Sequence, residues 1–253
     1  MKKVILSAKG LCKSFAHNGG QTHILSGVNL DIYEGDFTVI MGASGSGKST
    51  TLYALSGMDR ASGGEVIYNG KDIVKMSEKD LTNLRHGDFG FIFQQMHLVS
   101  NLTIFENVAV PGYLNKKASK KDTDQYANQL LEKMGISHIK KQLPSQCSGG
   151  EQQRCAIARA VISCPKLLFA DEPTGSLNKK NTTEVLNLLT ELNRNGQSIL
   201  MVTHDSRAAL RASRIIYIED GKTVGELSLP TYDESDEKSR DIQLTTWLSS
   251  MGW

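Results

Sequence analysis

The sequence predicts an α/β fold: a parallel sheet covered by helices, with a β-rich N-terminal part and a helical insert. Short apolar runs recur at Phe37–Met41, Leu167–Ala170, Ile199–Val202 and Arg214–Ile218. Continuous apolar runs of this length suit strands buried on both faces. A helical pattern, Thr182–Leu192, separates the second run from the third. Between about Leu98 and Ile162 the pattern turns helical, with Ala127, Leu130, Leu131 and Met134 on one face.

In chain order, Val4–Leu11 and Ile24–Ile32 read as strands about a turn at Gly19-Gly20. Glu65–Tyr68 is a short strand bracketed by Gly63-Gly64 and Asn69-Gly70. Leu52, Leu55 and Met58 continue as a helix after the strand that ends at Met41. The basic residues Lys116, Lys117, Lys120 and Lys121 read as a solvated face. From Pro230 an acidic linker (Asp233, Glu234, Asp236, Glu237) leads into an amphipathic helix bearing Leu244, Trp247, Leu248 and Met251. Both tryptophans, Trp247 and Trp253, lie in this tail. The expected boundaries are 1–229 for the main domain, with the helical subdomain inserted at about 95–162, and 230–253 for the tail.

The chain has 253 residues, 39% hydrophobic and 22% charged, a composition that excludes a disordered protein. Lys and Arg total 29 against 27 Asp and Glu, a net charge of +2 that argues against a nucleic-acid partner. No apolar run approaches the ~18 residues of a membrane span, and Met1-Lys2-Lys3-Val4 opens no signal-peptide core. The four cysteines (Cys12, Cys147, Cys155, Cys164) match no zinc framework and fit reduced thiols. The expectation is a soluble protein of the cytosol.

Chemistry concentrates in a few places. Gly42-Ala43-Ser44-Gly45-Ser46-Gly47-Lys48-Ser49-Thr50 fits G-x-x-x-x-G-K-[ST] and lies between a strand and a helix, as that motif requires. Its glycines let backbone N–H groups curl round a phosphate, and the helix N-terminus adds its dipole. Lys48 is placed to reach β and γ phosphates, and the Ser49 hydroxyl to ligate Mg²⁺. The strand Leu167–Ala170 ends in Asp171-Glu172, closed by Pro173. Asp171 suits a water-mediated Mg²⁺ contact, and Glu172 can deprotonate an attacking water.

His204 follows the strand Ile199–Val202, and Gln94 follows the apolar stretch Gly90–Phe93. Both are expected at the carboxyl edge of the sheet, where α/β folds bind ligands. There His204 can touch the γ-phosphate or the water, and Gln94 can sense metal and γ-phosphate. Finally, Ser148-Gly149-Gly150-Glu151 combines an S-x-x-E capping box with two glycines that leave N–H groups uncovered. Taken alone, that box is a helix cap and nothing more.

This ordered set of phosphate loop, Gln94, Ser148-Gly149-Gly150-Glu151-Gln152, Asp171-Glu172 and His204 resembles the nucleotide-binding subunit of ATP-binding cassette (ABC) transporters over nearly all the chain up to Leu229. The resemblance implies a P-loop NTPase (RecA-like) parallel-sheet core, an ATPase using ATP and Mg²⁺, and head-to-tail pairing of two copies. In that pairing each phosphate loop faces the other copy's Ser148-Gly149-Gly150. Ser49, Gln94 and Asp171 would serve the metal, Glu172 the water, and His204 the γ-phosphate. Phe15 stands where the family places an adenine-stacking aromatic, though it equally reads as a core residue. Leu102–Val108 falls on the surface that in this family docks on a membrane permease.

Two residues depart from the family pattern. Cys147 replaces the usual leucine, and Asn178 the usual aspartate, keeping an oxygen to cap the next helix but losing the charge.

Finer features narrow the resemblance. Gln21–Leu25, Glu151 and Asp171–Gly175 are similar to the macrolide-export and lipoprotein-release group. The tail Ile242–Trp253 looks like that of bacitracin-type antimicrobial-peptide transporters of Gram-positive bacteria. This implies one large permease, often coupled to a sensor kinase, and a peripheral position on the inner face of the membrane. The Trp247 helix is then expected either near the permease or dimer seam, or on its own core. A small-molecule kinase needs neither the Ser148-Gly149-Gly150 turn nor Glu172. A soluble cassette protein of translation or repair needs two cassettes or a coiled coil. A cell-division or lipoprotein-release cassette that transmits force to a membrane partner stays open beside peptide export.

Overall fold

The computed structural model describes residues 2–17, 20–114 and 118–253. Gly19 of the expected turn, and Lys116 and Lys117 of the basic run, lie outside the described residues. Along the chain run β1 (Val4–His17), β2 (Gly20–Tyr33), β3 (Phe37–Met41), α1 (Lys48–Leu55), β4 (Gly63–Tyr68), β5 (Lys71–Asp72) and α2 (Glu78–Gly87). Then come β6 (Phe89–Phe93), α3 (Ile104–Leu114), α4 (Lys120–Lys133), α5 (Gly149–Val161), β7 (Leu167–Asp171) and α6 (Lys179–Arg194). The chain closes with β8 (Ser198–Val202), α7 (Ser206–Ala209), β9 (Arg214–Glu219), β10 (Lys222–Ser228) and α8 (Glu237–Ser250). These elements form two compact units, Met1–Leu81 with Asn193–Trp253, and Thr82–Leu192.

In the first unit, β1 and β4 are the inner strands of an antiparallel sheet ordered β2-β1-β4-β5. β1 and β2 run longer than the apolar pattern suggests, because the hairpin continues into exposed strand ends that carry no hydrophobic signal. Both β8 and β9 pair with β3 in parallel, and all residues of β3 and β8 are buried, as their unbroken apolar runs require. β10, unforeseen from the sequence, adds antiparallel to β9; its residues alternate exposed and half-buried, so no apolar run marks it. A forked Arg214 fastens this edge, donating to both Glu226 oxygens at 2.5 and 2.6 Å and to the Asp31 carbonyl.

The α8 helix is docked on this same unit. Tyr217 meets Trp247 and Trp253 edge-on, ring centroids 6.3 and 6.0 Å apart. Gly225 leaves room for them, since a Cβ there would lie 2.8 Å from Met251 Sδ. Arg240, 2% exposed, donates to the carbonyls of Leu210 (2.9 Å), Pro230 (2.7 Å) and Ala212. Of the two expectations for the Trp247 helix, packing on its own core is the one found. Helix α1 stops at Leu55, so Met58, expected on it, lies beyond its end.

In the second unit, β6 and β7 pair in parallel with Phe93 opposite Asp171. Phe91 stacks on Phe169 at 5.4 Å, and Phe89 meets the same ring edge-on at 5.0 Å. α5 packs against α3, α4 and β6. Gly90 permits the approach to α5, for a Cβ would sit 2.4 Å from the Ala160 carbonyl oxygen. All four cysteines are free thiols, and burial pushes Cys155 up to about 12. No helix among the described residues is long and apolar enough to cross a membrane.

Candidate functional site

The first unit presents the phosphate loop. β3 delivers it at the carboxyl edge of the parallel strands, and Gly42 at φ 154° starts the turn. A side chain there is impossible: its Cβ would lie 2.1 Å from the Ile218 carbonyl oxygen and 2.6 Å from Ser46 Oγ. Gly47 is left-handed at φ 99° and caps α1 through its carbonyl, which accepts from Thr51 N (2.8 Å) and Thr51 Oγ1 (2.9 Å). Lys48 is 8% exposed and folds back under the loop, donating to the carbonyls of Gly42 and Ala43 at 2.8 Å each. Ala43, Ser44 and Gly45 form the exposed rim, while Ser49 and Thr50 are half-buried.

Because β8 is parallel to β3, with Val202 opposite Ile40, the residues after both strands leave the same edge. His204 is therefore carried to the side of the sheet where the loop begins, exposed, with Thr203 N donating to Ile40 O at 3.2 Å. Phe15 is 46% exposed on β1, and Lys13 Nζ lies 4.7 Å above its ring. The core reading of Phe15 is thereby corrected: its strand end extends past the packed part of the sheet.

The second unit assembles the other residues. Gln94 and Glu172 each follow one member of the opposed pair Phe93 and Asp171. Gly175 lies against the Gln94 side chain, where a Cβ would come 2.8 Å from Nε2. Ser176 Oγ also donates to the Gln94 carbonyl at 3.3 Å. Glu172 has φ 46° directly before Pro173, a left-handed conformation disfavoured both by its own Cβ and by the following ring. Gly175 N donates to the Glu172 carbonyl at 3.0 Å and closes this turn.

Ser148 is the N-cap of α5 in the expected capping box. Glu151 Oε2 accepts from Ser148 N at 2.8 Å and from Ser148 Oγ at 2.6 Å. Gly150 has an intrachain reason as well, because a Cβ would strike Asn181 Cγ at 2.4 Å. Asn178 does cap α6, its Oδ1 accepting from Asn181 N at 3.0 Å. Cys147 is half-buried, its Sγ 3.4 Å from the Leu143 carbonyl oxygen. Gln94, Met96, Leu98, Pro144, Gly149 and Ser176 line an open cleft of about 780 Å³.

Three positioning residues escape sequence reasoning. Gln153 and Arg159 on α5 bracket Gln94: Gln153 Nε2 donates to Phe93 O at 3.3 Å, and the Arg159 fork donates to Met96 O and His97 O at 2.6 Å each. Burial lowers the Arg159 pKa, and these carbonyls hold its charge in place. Asn107 clamps the following loop, accepting from Val99 N at 2.8 Å and donating to the carbonyls of Val99, Leu102 and Thr103. Only the general helix pattern around them was legible. Arg159→Leu is expected to cost about 2 kcal/mol, because the charged donor to two carbonyls is lost. The check is a lowered urea midpoint accompanied by a lower kcat.

Comparison with known proteins decides what this constellation belongs to. Residues 25–175 match the family described as "ABC transporter". The chain belongs to the ABC transporter family. Two solved structures of the cassette MJ0796 are each 35% identical, covering 90% of this chain and 100% of that one. One is a post-hydrolysis dimer with ADP and Pi (TM-score 0.83), the other a dimer of a bacterial ABC transporter cassette (TM-score 0.84). cbiO1 of Clostridium perfringens, part of the transporter complex cbiONQ, is 28% identical with TM-score 0.79, covering 90% of this chain and 89% of that one.

The cassette is accordingly an ATPase. The loop itself fits a phosphate group: Ser46 Oγ is buried with no hydrogen-bond partner, and Gly42 keeps the cradle clear. No group of three or more His, Cys, Asp or Glu among the described residues could hold a metal ion. The hydroxyl of Ser49, the amide of Gln94 and the carboxylate of Asp171 are the hard oxygen donors that suit Mg²⁺.

Proposed function

We propose that two copies of this cassette clasp two ATP molecules head to tail and drive a membrane permease that protects the cell from antimicrobial peptides. The N-terminus of α5, where Ser148 and Gly149 are exposed, carries this reading, since a helix start of this kind suits an anion that the chain's own phosphate loop does not require. The solved cassettes 35% identical to the chain are described as dimers, which supports it.

In the proposed site, the backbone of Gly42, Ser44, Gly45, Ser46, Gly47 and Thr50 wraps the phosphates, and Lys48 neutralises the β and γ groups. Ser49, Gln94 and Asp171 would hold Mg²⁺, which supplies positive charge to the phosphate oxygens. Glu172 takes the proton of the attacking water, and His204 holds the γ-phosphate. Phe15 offers its exposed ring to the adenine. From the partner, Ser148, Gly149, Gly150 and Glu151 close the site.

The peptide-resistance assignment is supported by Gln21–Leu25 and the Trp-bearing tail. It places the cassette on the cytoplasmic face of the membrane, with a sensor kinase reached through the permease. The isolated chain is expected to hydrolyse ATP slowly, with a several-fold rise when it is purified with a large permease bearing an extracellular domain. Failure of such a permease to copurify with the cassette or to stimulate it would count against the assignment.

A further inference from the structure

The turn proposed to grip a partner's γ-phosphate carries a negative charge of its own. Glu151 Oε2 is committed to Ser148, accepting its backbone N–H at 2.8 Å and its hydroxyl at 2.6 Å. The one hydroxyl proton of Ser148 therefore points inward, at a carboxylate, rather than outward. The Ser148 bonds are also the main cause of the lowered pKa of Glu151, which keeps that charge in place at neutral pH.

The other carboxylate oxygen faces a histidine. His138, on the 3-10 turn Ser137–Ile139, brings Nε2 to 3.5 Å from Glu151 Oε1. Its side chain is 67% exposed and open to solvent. The neighbouring charges are already engaged. Arg154, one turn along α5, is held by Glu184 of α6 at 2.6 Å. On α4, which packs against the turn, Lys133 pairs with Glu191 at 3.0 Å and Asn128 receives Lys140 Nζ at 2.9 Å. Cys147, the remaining titratable neighbour of Glu151, is a thiol whose pKa burial raises.

We propose that His138 is a positioning residue for the signature turn: protonated, it engages Glu151 Oε1 and strengthens the grip of Ser148–Gly150 on the partner's ATP. The inference rests on the head-to-tail reading above. When neutral, His138 leaves the Glu151 charge opposed to the incoming phosphate. When protonated, it offsets that charge from the Oε1 side and weakens the pull of the carboxylate on the Ser148 hydroxyl, which can then turn to the phosphate. The added proton comes from solvent and stays on the imidazole. The ATP-bound dimer is then tighter with His138 protonated than with it neutral.

The test uses the full chain carrying Glu172→Gln, with ATP and Mg²⁺, and reads dimer dissociation by analytical ultracentrifugation from about pH 8 to about pH 6. Dissociation is expected to tighten about two- to fivefold more in this parent than after His138→Gln, the range of a partly exposed ion pair. His138→Arg, a fixed cation, should be tight at both ends. Glu151→Gln, which keeps the acceptor and loses the charge, should show no histidine-dependent step. Protonation of ATP itself is common to all four chains and cancels. An equal pH step in parent and His138→Gln overturns the inference, as does a step retained in Glu151→Gln. A chain that stays monomeric with ATP at every pH instead fails the head-to-tail reading, and the inference falls with it.

Discussion

Replacing Glu172 by Gln is expected to lower ATP turnover by about 100-fold or more, the usual contribution of a general base. Binding of ATP should survive, because Gln keeps the size and the hydrogen-bonding oxygen of Glu and loses only the proton-accepting charge. The backbone fixes the position: β7 ends at Asp171, Glu172 turns left-handed at φ 46°, and Gly175 N holds its carbonyl at 3.0 Å. That strain is shared by Gln, so the substitution isolates chemistry from folding. Phosphate release and light scattering together check it, the expected pattern being lost turnover with an accumulated ATP-bound dimer. Full turnover in the variant would remove Glu172 from the role of base.

Lys48→Ala acts a step earlier, on binding. The Lys48 ammonium is buried beneath the loop and bonds the carbonyls of Gly42 and Ala43. Its loss removes the positive charge proposed to face the β and γ phosphates and unties the first turn of the loop. Charge-assisted bonds of this kind contribute about 1.5–3 kcal/mol each, so ATP affinity should fall roughly 10- to 100-fold. Equilibrium binding of a fluorescent ATP analogue measures this directly. Affinity equal to that of the native chain would show that the loop holds phosphate without its lysine.

What could be read from the sequence follows from whether the signal was local. The phosphate loop, the capping box of Ser148 and the cap supplied by Asn178 depend on neighbours a few residues away, and all three take their expected form. Buried parallel strands were legible because apolar runs announce them. β10 was not, since its burial comes from β9 and α8 rather than from its own composition. Arg159 and Gln153 act through carbonyls that other elements bring to them, 62 and 60 residues away, while Asn107 gathers carbonyls 4 to 8 residues back that no sequence pattern marks. His138 belongs to the same group: nothing around it in sequence distinguishes it until the fold places Glu151 beside it. Phe15 was legible as aromatic but not as exposed, because its strand extends beyond the packed part of the hairpin.

The measurement that bears most directly on the paired-copy account mixes two disabled chains. One carries Lys48→Ala with its Ser148–Gly150 turn intact; the other carries Gly150→Asp, which fills the space against Asn181, with its phosphate loop intact. Each alone should be nearly inactive. Mixed, they should recover up to about a quarter of native turnover, since half the dimers are mixed and each of those has one complete site. No recovery on mixing, or full activity of the Gly150→Asp chain by itself, would contradict a site shared between two copies.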